Sequence, residues 1–125
     1  MSTKKMVYSI YGYINSDAEQ LAGLISEELA IELTRDDNFS EDEGPYVFIG
    51  KGDDLIDYLC IRKQFRVGDE WENNYHKICP LAIEINFTLL SGEENIERAN
   101  NVRIMLNKII EIKEIEFSIT ENPTN

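Results

Sequence analysis

The residues best suited to catalysis or metal binding are a single histidine, His76, and two cysteines, Cys60 and Cys79. Catalysis would require a nucleophile held next to its base, and no serine or cysteine near His76 has a recognisable nucleophile context. A zinc site made of these three side chains is conceivable, but their spacing lacks the paired ligands that make zinc motifs specific. Ordinary loop and core roles are therefore favoured, and the sequence predicts no metal site.

Two neighbouring features at residues 50–54 invite binding or catalytic interpretations. Residues 50–52 have the sequence Gly-Lys-Gly, but the further glycines and the Lys-Ser/Thr pair of a phosphate-binding loop are missing. Asp53 and Asp54 follow directly and would repel phosphate, so a hairpin turn is favoured. Adjacent acids could serve in acid–base catalysis, but in a turn they are usually just solvated.

Oxygen-bearing side chains alternate at Asp36, Asn38 and Ser40, as they do in calcium-binding loops. Such a loop has glycine at its sixth position and glutamate at its twelfth. Here these positions hold Glu41 and Val47, so the segment is not an EF-hand. With no catalytic constellation elsewhere in the sequence, we predict no catalytic residues, no cofactor and a protein that is not an enzyme.

The charge of the chain restricts its partners. The 125 residues carry 12 basic and 24 acidic side chains, a net charge of −12. Such a surface repels nucleic acid and anionic membranes and attracts basic proteins.

The apolar runs are too short to cross a bilayer, and the N-terminal residues do not resemble a signal peptide. Two cysteines outside a CxxC motif fit a reducing compartment. We therefore expect a cytoplasmic protein without direct nucleic-acid or membrane contacts.

Hydrophobic periodicity divides the chain into strands and helices. Period-two alternation predicts strands over residues 6–14, 31–34, 46–50, 55–65, 81–90 and 115–119. Capping boxes at 16–19 and 91–94, each followed by apolar residues at helical spacing, predict two helices. Polar loops are predicted over 36–44 and 67–77. A helix over residues 54–60 is the alternative to the first half of the fourth strand.

The order of these elements predicts the fold. A strand, a helix and a strand are followed by a hairpin and then by a second strand, helix and strand. This order resembles the split β-α-β pattern of ferredoxin-like folds with an inserted β-hairpin. We therefore predict one α+β domain over residues 1–125, with a mostly antiparallel sheet and both helices on one face, because right-handed crossovers place them on the same side.

The acidic residues are unevenly distributed. Residues 36–57 contain eight acids and one lysine, a net −7 of the total −12, and a further acidic cluster surrounds Trp71. Clustering of like charge costs stability, which attraction of a basic partner would offset. The predicted partner-binding residues are Asp36, Asp37, Glu41, Asp42, Glu43, Asp53, Asp54, Asp69, Glu70, Trp71, Glu72 and Tyr75. Trp71 could be either an interface anchor or an inward-folded core residue.

A small acidic domain with acidic loops at 36–37 and 41–43 and an aromatic-acidic loop at 69–72 resembles the bacterial immunity proteins. The resemblance implies a protein that binds and neutralises a cognate toxin, often a nuclease, with acids standing in for substrate phosphates. The expected partner is thus a basic toxin or nuclease domain.

Two other functions remain open at this point. The first is a ferredoxin-like structural or regulatory module that forms a homo-oligomer through a sheet edge or face. The second is an enzyme with an unrecognised site, which would combine scattered carboxylates with His76, a tyrosine or a cysteine.

Overall fold

The computed structural model describes residues 2–35, 46–51, 54–64 and 66–124, which form strands, two α-helices and a short 3₁₀ helix. The described strands are β1 (Ser2–Tyr13), β2 (Thr34–Arg35), β3 (Tyr46–Ile49), β4 (Tyr58–Lys63), β5 (Arg66–Val67), β6 (Glu70–Trp71), β7 (Leu81–Phe87) and β8 (Ile112–Thr124). The helices are α1 (Ala18–Leu29), α2 (Gly92–Leu106) and a short 3₁₀ helix (Asn74–Lys77).

Six of these strands form one antiparallel sheet in the order β2-β3-β4-β7-β1-β8. Strands β5 and β6 pair separately as a short hairpin. The prediction of an α+β protein with a mostly antiparallel sheet and two helices is confirmed.

One face of the sheet forms the hydrophobic core with the helices. Alternate residues of β1, among them Val7 and Tyr11, are buried beside Phe87 and Ile83 of β7, their register partners. The two helices contact each other and contribute to the same cluster. Their buried apolar residues are Leu21, Ala22, Ile25, Leu29, Ala99, Val102 and Leu106. Burial of this apolar surface is the main contribution to the stability of the domain.

Side chains that accept backbone hydrogen bonds set the helix starts. Asp17 Oδ1 accepts from Gln20 N at 3.1 Å, and Ser91 Oγ accepts from Glu94 N at 3.4 Å. Ser91 is the predicted cap. At α1 the cap is Asp17 rather than the neighbouring Ser16, since aspartate caps as well as serine and Asp17 has the extended backbone of a cap.

Strand β4 begins at Tyr58, later than predicted, because Asp57 is committed to other partners. Asp57 Oδ2 accepts hydrogen bonds from the backbone amides of Thr88 at 2.6 Å and Leu89 at 2.9 Å. Both carboxylate oxygens also pair with the guanidinium of Arg98, each at 2.7 Å. The network joins the start of β4 to the β7–α2 connection, and the alternative helix at this position does not form.

The last strand and the predicted loop at 67–77 also differ from expectation. Strand β8 is longer than the predicted strand at 115–119 because it pairs with β1 along its whole length, from Ile112 opposite Tyr13 to Thr124 opposite Ser2. The segment at 67–77 contains part of the β5–β6 hairpin and the 3₁₀ helix. Such long-range pairings are not visible in local periodicity.

Candidate partner-binding surface

The β5–β6 hairpin presents the aromatic-acidic cluster. Register partners Val67 and Glu70 enclose a two-residue loop of Gly68 and Asp69. Gly68 has φ +66°, which a type II′ turn requires at its first central position and which glycine adopts without strain. Asp69 and Glu70 are exposed, and Trp71 follows as the last residue of β6.

Trp71 is held in place although 41 % of it is exposed. Its ring stacks on His76, with 4.6 Å between ring centroids and 8° between planes. His76 Nδ1 lies 2.9 Å from the backbone oxygen of Asn73, and because a carbonyl only accepts, Nδ1 carries the hydrogen. Trp71 is therefore an ordered surface side chain and not a core residue.

Glu72 lies inside the fold. Its carboxylate pairs with Arg62, whose Nη2 lies 2.8 Å from Glu72 Oε2, and Arg62 Nε also donates to Glu84 Oε1 at 2.7 Å. The side chains of Arg62 and Glu72 are only 6 % and 8 % exposed. Burial alone would lower the pKa of Arg62, but hydrogen bonds and the charges of Glu72 and Glu84 raise it above its ordinary value. Glu72 is thus not an exposed acid available to a partner. It anchors the hairpin segment, by which we mean residues 66–80, to β4.

The remaining predicted site residues do not form one group in the structure. Tyr75 is half-buried in the 3₁₀ helix, and its amide donates to Asn73 Oδ1 at 2.8 Å. Asp54 accepts from Lys51 N at 2.9 Å and precedes the start of β4, whereas Glu72 pairs near the end of that strand. The structure does not bring these two acidic segments together. Six of the predicted site residues lie outside the described part of the chain: Asp36, Asp37, Glu41, Asp42, Glu43 and Asp53.

The hairpin segment lies on the sheet face opposite the helices and covers part of it. Besides the Arg62–Glu72 pair, close packing occurs at Gly12 of β1, where an added Cβ would lie 2.8 Å from both Cβ and Sγ of Cys79. Only glycine permits this approach without a shift of the buried Cys79.

The neighbouring row of the same face forms an open floor. The residues in register across five strands are Ile49, Tyr58, Asn86, Tyr8 and Ser118. Ile49 is 73 % exposed and Tyr8 is 37 % exposed, while the other three are half-buried. This floor was not predicted from the sequence. The signal was available in β1, where apolar residues occur on both sides of the alternation, and a strand of this kind is apolar on both sheet faces.

An open cleft of about 240 Å³ lies where the hairpin segment meets the sheet. Its lining residues are Ile10, Glu72, Asn73, Ile115 and Glu116. Of these, Glu116 is exposed, and its Oε1 accepts a hydrogen bond from the hydroxyl of Ser118 at 3.1 Å. The cleft therefore combines apolar walls with carboxylates next to the exposed tryptophan.

The two cysteine thiols and the Tyr58 hydroxyl on this face are held in their neutral forms. Cys60 and Cys79, both described, are buried free thiols, and burial raises the pKa of each. Burial, and then the contact with Cys60, raise the pKa of Tyr58 to about 12. Protonated thiols are poor nucleophiles.

Within the described residues, no three histidine, cysteine, aspartate or glutamate side chains are grouped as a metal site would need. No helix among these residues has the length and hydropathy to span a membrane.

Comparisons with protein-family models, with curated proteins and with solved structures gave no match. Family membership therefore does not follow from similarity, and the surface itself is the source of functional information.

Proposed function

We propose that this chain is a non-catalytic binding protein that inhibits a basic partner, such as a toxin or nuclease domain, in the manner of bacterial immunity proteins. The observation that carries the proposal is Trp71, which is exposed and stacked on His76 beside the exposed Asp69 and Glu70. Tryptophan is among the residues most enriched at binding hot spots. A side chain that is already ordered loses less conformational entropy when a partner binds.

The negative charge supports a basic partner. The internal ion pairs of Arg62, Arg98 and Arg103 engage Glu72, Glu84, Asp57 and Glu114. These three positive and four negative charges have a net charge of −1, which leaves −11 of the total −12. Such a charge accelerates the approach of a basic protein by about 10- to 1000-fold.

Charge alone does not select one face of the molecule. Exposed acids also occur on α1, for example Glu19 and Glu27, and on α2, for example Glu93 and Glu97. The hairpin face differs from the helix surfaces because it adds a stacked aromatic anchor, a cleft and an open row of mixed apolar and polar side chains. The acids at 36, 37, 41–43 and 53 lie outside the described residues, and their part in partner binding stays a prediction.

We also propose that the fold is a ferredoxin-like split β-α-β arrangement. The strand order β4-β7-β1-β8, with α1 following β1 and α2 joining β7 to β8, supports this assignment. In the proposed arrangement, β4 is the outer strand of a four-stranded core and pairs with β7. Strands β2 and β3 extend the sheet beyond β4.

A homo-oligomer is the second candidate. Strand β8 is at the end of the sheet order and, among the described residues, pairs only with β1, so a second copy could add its own strand there. Sedimentation at several concentrations tests this candidate, which predicts a stable dimer. A monomer at all concentrations would remove it.

The direct test of the inhibitor proposal is affinity capture from the native cell with variants of this chain. The variants are Trp71→Ala and, as a matched control, Ile110→Ala, which truncates a 78 % exposed side chain in the α2–β8 turn. We expect wild type and control to retain a basic protein that Trp71→Ala binds about 30-fold more weakly. Equal retention by Trp71→Ala, or an acidic partner, would contradict the proposal.

A further inference from the structure

We propose that the cleft beside the hairpin binds an arginine side chain of the partner protein. This inference rests on the proposed function, because it identifies the partner group that enters the surface beside Trp71. Trp71 immediately precedes Glu72 and Asn73, two of the residues that line the cleft, so the anchor and the cleft are neighbours along the chain.

The size of the cleft fits one side chain. Its volume of about 240 Å³ is below the roughly 300 Å³ at which pockets for small-molecule ligands usually begin. Ile10 on β1 and Ile115 on β8 supply apolar walls, against which the aliphatic stem of a long side chain can lie while its charged end stays near water.

The charges around the cleft select a cation. Glu84, Ile10 and Glu116 are register partners across β7, β1 and β8, so two carboxylates flank Ile10 on the same face. Arg62 already balances the negative charge of Glu72 and forms an ion pair with Glu84. Even when Lys113 in the next row is counted with Arg62, three acids face two bases. A phosphate or carboxylate would be repelled here.

Arginine fits this arrangement better than lysine or a metal ion. Guanidinium is more weakly hydrated than ammonium, so it loses less hydration free energy when it enters a partly apolar cleft. Its planar, forked shape also pairs with a carboxylate through two hydrogen bonds. Ser118 donates to Glu116 Oε1 and thereby orients the carboxylate that would receive it. A divalent ion would need several converging oxygen ligands, and the described residues provide no such group.

The test uses short capped peptides of one composition that contain arginine, lysine or the neutral isostere citrulline. Each is titrated into the ¹⁵N-labelled full chain while amide shifts are recorded. We expect the arginine peptide to shift the amides of Ile10, Asn73, Ile115 and Glu116, the lysine peptide to bind more weakly, and citrulline to cause no such shifts. Equal binding of citrulline, or shifts located elsewhere, would overturn the inference.

Two variants make the test specific. Glu116→Gln should weaken arginine-peptide binding about fivefold, as for a partly exposed ion pair, whereas Glu121→Gln on the same strand should leave it unchanged. Unchanged binding by Glu116→Gln would overturn the arginine site.

The same variants separate this inference from the proposed function. If Trp71→Ala abolishes partner capture while Glu116→Gln affects neither peptide nor partner, only the cleft inference fails. If the arginine peptide binds at the cleft but no basic partner depends on Trp71, the proposed function fails.

Discussion

Different interactions pack the chain against the two faces of the sheet. The helix face is apolar and continuous, and its strand and helix residues form one cluster. On the opposite face, the hairpin segment is anchored by the buried Arg62–Glu72–Glu84 ion pairs and by close packing at Gly12. The row from Ile49 to Ser118 remains open beside it. The first face supplies stability, and the second is built to position an exposed surface.

The largest effect should come from the helix face. Ile85→Ala removes a fully buried side chain and leaves a cavity, so we expect the free energy of unfolding to fall by about 2–5 kcal/mol. Tyr8→Ala, on the other face of the neighbouring strand, is the control and should cost much less. Urea denaturation measures both, and equal losses would contradict the division between the two faces.

Breaking the ion pairs should cost somewhat less overall and should act mainly on the hairpin. Arg62→Leu removes the guanidinium that pairs with the buried Glu72 carboxylate, which we expect to destabilise by about 3 kcal/mol. The double variant Arg62→Leu, Glu72→Leu should recover most of this loss because the remaining carboxylate, Glu84, is 34 % exposed and can be solvated. Hydrogen exchange should show the single variant opening first in residues 66–80. Uniform opening of the whole sheet would contradict a local anchoring role.

Acid should weaken the Asp57 network. Burial alone would raise the pKa of Asp57, but the Arg98 ion pair and the Leu89 and Thr88 amides together lower it below 3.8. A lowered pKa contributes stability that is complete well above 3.8 and is lost as the pH falls through the folded value. The stability difference between wild type and Asp57→Asn should therefore shrink below about pH 4. A difference that stays constant with pH would contradict this assignment.

The smallest effect on stability should come from the exposed aromatic pair. His76→Ala removes the ring on which Trp71 stacks, and a surface change of this kind usually alters stability by less than about 0.5 kcal/mol. Trp71 should nevertheless become more mobile, which lowers the anisotropy of its fluorescence. As Trp71 is the only tryptophan, the signal is unambiguous. Unchanged anisotropy would mean that His76 does not hold the ring.

Local patterns predicted most of the fold. Period-two alternation located β7, and the capping residues located both helices, because these signals depend on neighbours in sequence. The sequence could not predict the length of β8, which depends on β1 more than a hundred residues earlier. It also could not predict the later start of β4, which depends on a long-range ion pair from Asp57 to Arg98.

The candidate site was less predictable than the fold. Clustering of acids drew attention to Trp71, whose role in binding stays a prediction, but a carboxylate in sequence carries no sign of its partner, so Glu72 could not be distinguished from Glu70. Tyr8, Tyr58 and Ile49 belong to separate strands, and only the register brings them into one row. Ion pairs and cross-strand rows are tertiary features, which explains why both were missed.

The association rate of the captured partner, measured against ionic strength, tests the central claim most directly. Between about 0.02 M and about 0.5 M salt, screening shortens the reach of the surface charge several-fold. We predict that the rate with wild type falls at least about tenfold over this range, and that Glu70→Lys lowers the rate at low salt. A rate that is independent of salt and of Glu70 would contradict an acidic, Trp71-centred surface that recognises a basic protein.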